Sequence, residues 1–126
     1  MELGNLDAKR DWSDSEDFVR GVWLMLDQYK PKDFILSSNE THSIREFVEK
    51  AFAVAEIYGE WKGKGLDEQF VLPSGEALLK INEEFFRPAE VEALLGDSNP
   101  IRNELGWRPN VTFTELVTKM TLNDLN

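Results

Sequence analysis

Two stretches carry the side chains best suited to chemistry on a charged ligand: Leu3-Gly4-Asn5-Leu6-Asp7-Ala8-Lys9-Arg10-Asp11-Trp12, and Phe86-Arg87-Pro88-Ala89-Glu90-Val91. A guanidinium presents a planar fork of donors that matches a pair of phosphate oxygens. If Pro88 is the first residue of a helix, Arg87 is its N-cap and Glu90 its third helical residue, both on one side of the helix start. The arginine then suits a phosphate at the positive end of the helix, and the carboxylate suits the two hydroxyls of a cis-diol such as ribose. Spacing alone weighs toward a plainer reading, in which Glu90 is a first-turn acid favoured by the helix dipole and Arg87 its surface partner. Lys9 and Arg10 can equally be a solvated pair balanced by Asp11.

The remaining reactive residue types assemble nothing. His42, the one histidine, precedes a helix start, where packing on Phe47 as a hydrophobic staple outweighs catalysis. Without cysteine or a second histidine no metal site and no nucleophilic cysteine are expected. Gly63-Lys64-Gly65 lacks the preceding strand and third glycine of a dinucleotide fingerprint and reads as a flexible loop. Asn39-Glu40-Thr41 and Asn110-Val111-Thr112 match the glycosylation sequon without a secretion signal beside them. Asp11, Asp14, Glu16 and Asp17 lack the spacing of a calcium loop and instead enrich a helix start in negative charge.

The 126 residues suffice for one domain with a real core. Fourteen Lys and Arg against twenty-four Asp and Glu give a net charge of −10, which repels nucleic acid and anionic membranes at long range. A small anion held by a few guanidiniums remains allowed, because distant charges are screened over about 8 Å. The lack of cysteine, of a signal pattern and of a long apolar run leads to the expectation of a soluble cytoplasmic chain.

Local patterns place these residues on elements. Ser13 with Glu16 forms a capping box for a helix over 14–28, with Phe18, Val22, Met25, Leu26 and Tyr29 as its apolar stripe. Phe34-Ile35-Leu36 reads as a buried strand at the edge of another sheet. Ser43 and Glu46 start a second helix with a stripe from Ile44 to Ala55. Residues 59–65 read as a loop, and 70–72 and 78–81 as a strand pair around Pro73-Ser74-Gly75. A short helix is expected from Pro88 to about Leu95, another turn or two between Asn99 and Gly106, and a third capping box at Thr112 and Glu115 opening a helix to about Leu122, with Val111 and Leu116 as its staple. The class is α+β, helix-rich with a few short strands.

The two arginine stretches, together with residues 41–52, Gly96-Asp97 and Leu105-Gly106-Trp107-Arg108-Pro109, resemble the C-terminal part of the GDP-mannose 4,6-dehydratase family in order and spacing. The resemblance implies an extended short-chain dehydrogenase/reductase, Rossmann-type α/β when complete. Residues 1–126 would be its smaller, nucleotide-sugar-binding portion, with elements that complete a Rossmann NADP-binding domain absent from this chain. It further implies that Arg10 and Arg87 grip a pyrophosphate, that Glu90 holds the ribose, and that Asn5 and Lys9 add sugar-nucleotide contacts. The family's Thr, Glu, Tyr and Lys that convert GDP-mannose to GDP-4-keto-6-deoxymannose belong to the NADP-binding portion, so the 126 residues alone are expected to be inert. The full-length protein would be a homo-oligomer. The alternative is a standalone, non-catalytic nucleotide-sugar-binding or regulatory domain. One departure stands out: residues 13–17 read Ser-Asp-Ser-Glu-Asp where the family usually has Gly-His-Ala-Lys-Asp, so that a histidine and a lysine give way to acids.

Overall fold

The computed structural model describes residues 1–87 and 93–126. The chain opens with two short strands, β1 (Glu2–Leu3) and β2 (Lys9–Arg10), followed by helix α1 (Ser15–Leu26). Strand β3 (His42–Ser43) leads directly into α2 (Ile44–Val54). Three strands follow, β4 (Glu60–Lys62), β5 (Gln69–Val71) and β6 (Ala77–Ile81), and then β7 (Ala93–Leu94), α3 (Asn99–Leu105) and α4 (Phe113–Leu125). One sheet has the order β1-β6-β5-β4 and the other β3-β2-β7. Among the described residues no helix is long and apolar enough to cross a membrane.

The expected strand pair forms as an antiparallel β5–β6 hairpin in which Phe70 faces Leu79. Residues 60–62, expected to be loop, instead form β4, antiparallel to β5 with Trp61 opposite Phe70. The glycines at 63 and 65 only shape the connection, while the backbone hydrogen bonds of β4 come from β5. Phe70 and Leu79, with Leu6 of the first connection and Val48 of α2, make the buried core, against which Leu3, Ile44, Phe52, Ile57, Trp61 and Ile81 pack. Removing each such large apolar side chain from water stabilises the fold by about 1.5–3 kcal/mol.

Both later capping boxes form as expected: Ser43 accepts from the Glu46 amide at 3.1 Å and Thr112 from the Glu115 amide at 3.2 Å. The first does not. Asp14, not Ser13, caps α1, accepting from the Glu16 amide at 2.8 Å, and its other oxygen receives Lys119 Nζ of α4 at 2.9 Å. A carboxylate is the stronger acceptor at the positive helix end, and a cation from a distant helix secures it.

The α1 stripe is also displaced. The helix docks through the buried Asp17 and Gly21, while Val19, Trp23 and Leu26 are 68%, 73% and 77% exposed and Val22 and Tyr29 are exposed as well. A Cβ on Gly21 would come within 2.6 Å of Leu36 and 3.0 Å of the Trp107 ring nitrogen, so the glycine permits this close approach. Trp107, fully buried, donates its ring N–H to the Asp17 carbonyl at 2.9 Å. The Asp17 carboxylate accepts from the amides of Asn110 and Val111, both at 3.0 Å. Residues 34–36, expected to be a strand, pair with no strand among the described residues, and Ile35 is exposed.

Two predictions follow from these carboxylates. Asp17→Ala leaves two amides without their acceptor and is expected to lower stability by about 2–3 kcal/mol, with a smaller loss for Asp17→Asn, read from denaturant midpoints at unchanged slope. The second concerns pH. The Lys119 ammonium holds the Asp14 carboxyl below its ordinary 3.8, and the His42 ring holds Glu46 below 4.5. Because the folded values are depressed, the stability these groups contribute is complete above those ordinary values and is lost as pH falls through the folded ones. Unfolding free energy measured from pH 6 to pH 3 should therefore fall below about pH 4.5, and less steeply in Lys119→Met.

Candidate functional site

The first ten residues are tied at both ends to later parts of the chain, residues 80–81 and 93–94. β1 pairs parallel with β6, with Leu3 opposite Ile81, and β2 pairs parallel with β7, with Arg10 opposite Leu94. Between these ties the Asn82 amide donates to the Leu3 carbonyl at 2.8 Å. A 3-10 turn over Glu83–Phe85 then lies so close to Gly4 that a Cβ there would collide with the Phe85 carbonyl. Arg87 follows this turn and is exposed. The turn that precedes Arg87 thus lies against Gly4, next to Asn5, while Arg10 is paired with Leu94.

Asn5 serves the backbone: its Oδ1 accepts from the Asp7 amide at 3.0 Å and shapes the bend between β1 and β2. The buried Leu6 and Ala8 anchor that bend, and their carbonyls accept from the amides of Arg45 and Ile44 at 2.9 and 3.1 Å. Arg45 reinforces it from α2, pairing with Asp7 at 3.1 Å and with Glu68 while its guanidinium lies 4.8 Å from the Trp61 ring centre. Lys9 is exposed and Arg10 half-buried, with Arg10 Nη1 donating to the Lys9 carbonyl at 2.7 Å. Beside Arg10 lies a groove of about 340 Å³ lined by the apolar Phe18, Leu36, Leu94 and Leu95 and by Asp11 and Ser37.

Glu90 and most of the expected 88–95 helix lie outside the described residues. Where that helix was expected to end, Ala93–Leu94 is a strand, because its backbone groups pair with Lys9–Arg10. Gly96 does follow, but as part of a loop.

His42 has a structural role, though not with the expected neighbour. Its ring stacks on Phe113 of α4 at 4.0 Å between centroids, Nδ1 lies 2.8 Å from Glu46, and Nε2 lies 3.3 Å from Glu40. Phe47 instead meets Trp12 at 5.0 Å, and Trp12 donates its ring N–H to the His42 carbonyl at 3.3 Å. The residues on either side of this junction were legible; Asp11 was not. Its Oδ1 accepts from the Ser38 amide at 2.9 Å and the Ser38 hydroxyl at 2.6 Å, and its Oδ2 from the Asn39 amide at 3.1 Å. In the sequence Asp11 reads as a counter-charge to Lys9 and Arg10, and only its place directly after Arg10 hints otherwise. Asn39, read as part of a sequon, has its side chain engaged by Ser98 and Asn99.

The acidic departure at residues 13–17 has a local answer. Asp14 and Glu16 both face Lys119, at 2.9 and 3.3 Å, so the added negative charge is met by a cation on α4.

This backbone superposes on parts of longer solved structures. RMD from Pseudomonas aeruginosa complexed with NADPH matches with a TM-score of 0.73 at 19% identity, over 98% of this chain and 35% of that one. A dTDP-glucose 4,6-dehydratase from Bacillus anthracis in complex with NAD also gives 0.73, at 13% identity over 98% and 34%. The fold is therefore that of about a third of each of those longer chains. The chain belongs to the GDP-mannose 4,6-dehydratase family, whose model, GDP-mannose 4,6 dehydratase, matches residues 1–120. The GDP-mannose 4,6 dehydratase of Drosophila melanogaster is 47% identical over 99% of this chain and 32% of its own length, and that of Dictyostelium discoideum 44% over 99% and 35%. The chain spans about a third of the length of the curated relatives it matches.

The close contact at Gly4 generates a test of the clamp. Gly4→Ala must push away the turn that leads to Arg87, and a stability loss of about 1–3 kcal/mol is expected by denaturant titration.

Proposed function

We propose that this chain is the nucleotide-sugar-binding, C-terminal third of a GDP-mannose 4,6-dehydratase, which converts GDP-mannose to GDP-4-keto-6-deoxymannose. The observation that supports the reading is that, in a chain of this family, the strand bearing Arg10 pairs with Ala93–Leu94 while Gly4 lies against Phe85, two residues before Arg87. In it Arg10 and Arg87 grip the pyrophosphate, Glu90 holds the ribose, and Asn5 and Lys9 line the approach. Two guanidiniums on one diphosphate supply both charge and register, because each fork fixes the plane of the oxygens it meets.

NADP is assigned to the rest of the longer protein, since these residues do not fit it. The pair Gly63 and Gly65, both at positive φ, lies in the β4–β5 connection and runs into a 3-10 turn at Gly65–Asp67, not into the long helix whose N-terminus would receive a pyrophosphate. The contribution of this portion is to bind and orient the substrate, which lowers the entropic part of the barrier. The exposed Val19, Trp23 and Leu26 of α1 form the side on which the cofactor-binding portion would be completed.

The test is GDP binding to the full-length protein by calorimetry. Arg10→Ala and Arg87→Ala are each expected to weaken it by about 1.5–3 kcal/mol, the worth of a charge-assisted contact. Unchanged affinity in both variants overturns the reading.

A further inference from the structure

Arg10 sits on a strand of only two residues, too short to hold a long side chain in place unless something else fixes its direction. We propose that Asp11 is a positioning residue for Arg10, acting through the loop 37–39 and, beyond it, the start of α3. The proposal rests on the reading of Arg10 as a pyrophosphate ligand and adds a residue that aims it.

Both Asp11 oxygens are turned toward one loop, accepting from Ser38 N, Ser38 Oγ and Asn39 N. That loop is itself held. Asn39 has φ 65°, a left-handed conformation that asparagine tolerates better than most residues. Its Oδ1 accepts from the Ser98 amide at 2.9 Å, and its Nδ2 donates to Asn99 Oδ1 at 3.1 Å. The buried Ser98 hydroxyl donates to the Ser37 carbonyl at 2.9 Å and accepts from Arg102 Nε at 2.8 Å, while Arg102 Nη2 donates to the Ser38 carbonyl at 2.9 Å. Four residues before Ser98 is Leu94, the strand partner of Arg10. The connections therefore close a ring: from Arg10 to Asp11 by the chain, to the loop and Ser98 by hydrogen bonds, back to Leu94 by the chain, and across the strand pair to Arg10. A closed ring of short links leaves the backbone at residue 10 few ways to turn, so the guanidinium starts from one place.

The experiment is a double-mutant cycle on GDP affinity in the full-length protein, with melting temperature and binding stoichiometry recorded for each variant. Asp11→Asn sets an amide donor against the Asn39 N–H, and Asn39→Gly keeps the left-handed backbone while cutting the link to α3. Each is expected to weaken GDP about tenfold, the order of loss a misplaced binding group causes, with stoichiometry intact. Neither should weaken GDP further once Arg10→Ala is present. Ser38→Ala, which removes one of the three bonds to Asp11 together with the hydroxyl's two contacts to the Glu40 backbone, serves the same cycle if Asp11→Asn does not fold. Equal weakening with and without Arg10, or unchanged affinity in the Asp11 and Asn39 variants while Arg10→Ala is weakened, overturns the positioning role alone. No effect of Arg10→Ala itself overturns the reading of the site and this inference with it.

Discussion

The backbone of residues 2–10 is the strut on which the rest of the molecule hangs. Its hydrogen-bonding groups are divided among β6, the start of α2, β3 and β7. Leu6 enters the main core between α2 and the β5–β6 hairpin, and Ala8 is buried next to it. Strands of two residues would be negligible in isolation, since sheets need more pairing than that to persist in water. Here each short pairing is backed by an apolar anchor or a tight backbone approach, and the segment serves as a common edge for two small sheets. The arginine of the candidate site is therefore placed by the same stretch that organises the fold.

Acidic residues perform much of this organisation. Asp11 brackets a loop, Asp14 caps a helix and holds Lys119, Asp17 gathers two amides beside the buried Trp107, and Glu68 holds Arg45. The bond from Glu68 is the largest influence raising the Arg45 pKa above its ordinary value, and the pair locks α2 to the β4–β5 connection. A carboxylate used as an acceptor for several N–H groups replaces the hydrogen bonds it gives up to water, which is why such groups can be nearly buried. The net charge of −10 thus includes several carboxylates already engaged inside the structure.

What could be read in advance follows the range of the interactions involved. The Ser43 and Thr112 capping boxes and the β5–β6 hairpin were legible because each depends on residues within a few positions of one another. The first helix was legible, but not its cap or its buried face: Lys119, about a hundred residues away, favours Asp14 over Ser13, and contacts with Trp107 and Leu36 bury Gly21 and leave Leu26 outside. β4 and β7 were missed for one reason. Their residues carry weak strand signals, and each is made a strand by a partner supplied from elsewhere. At the candidate site the arginine stood out by its type, whereas Asp11, Asn39 and Ser98 matter through contacts that local patterns do not encode.

The parallel ties of the strut to residues 80–81 and 93–94 also shape how this part of the protein comes to be folded. Leu3 and Arg10 must wait for partners about eighty residues later in the chain, whereas the hairpin and the capped helices can form as soon as they leave the ribosome. Loop closure over such a span carries an entropic cost that local contacts cannot offset beforehand. The pairings with β6 and β7 are thus made late, after the hairpin and helices have built the surface that receives them. During synthesis this side of the strut stays unpaired until those partners emerge, the stage at which a chaperone would have most to protect.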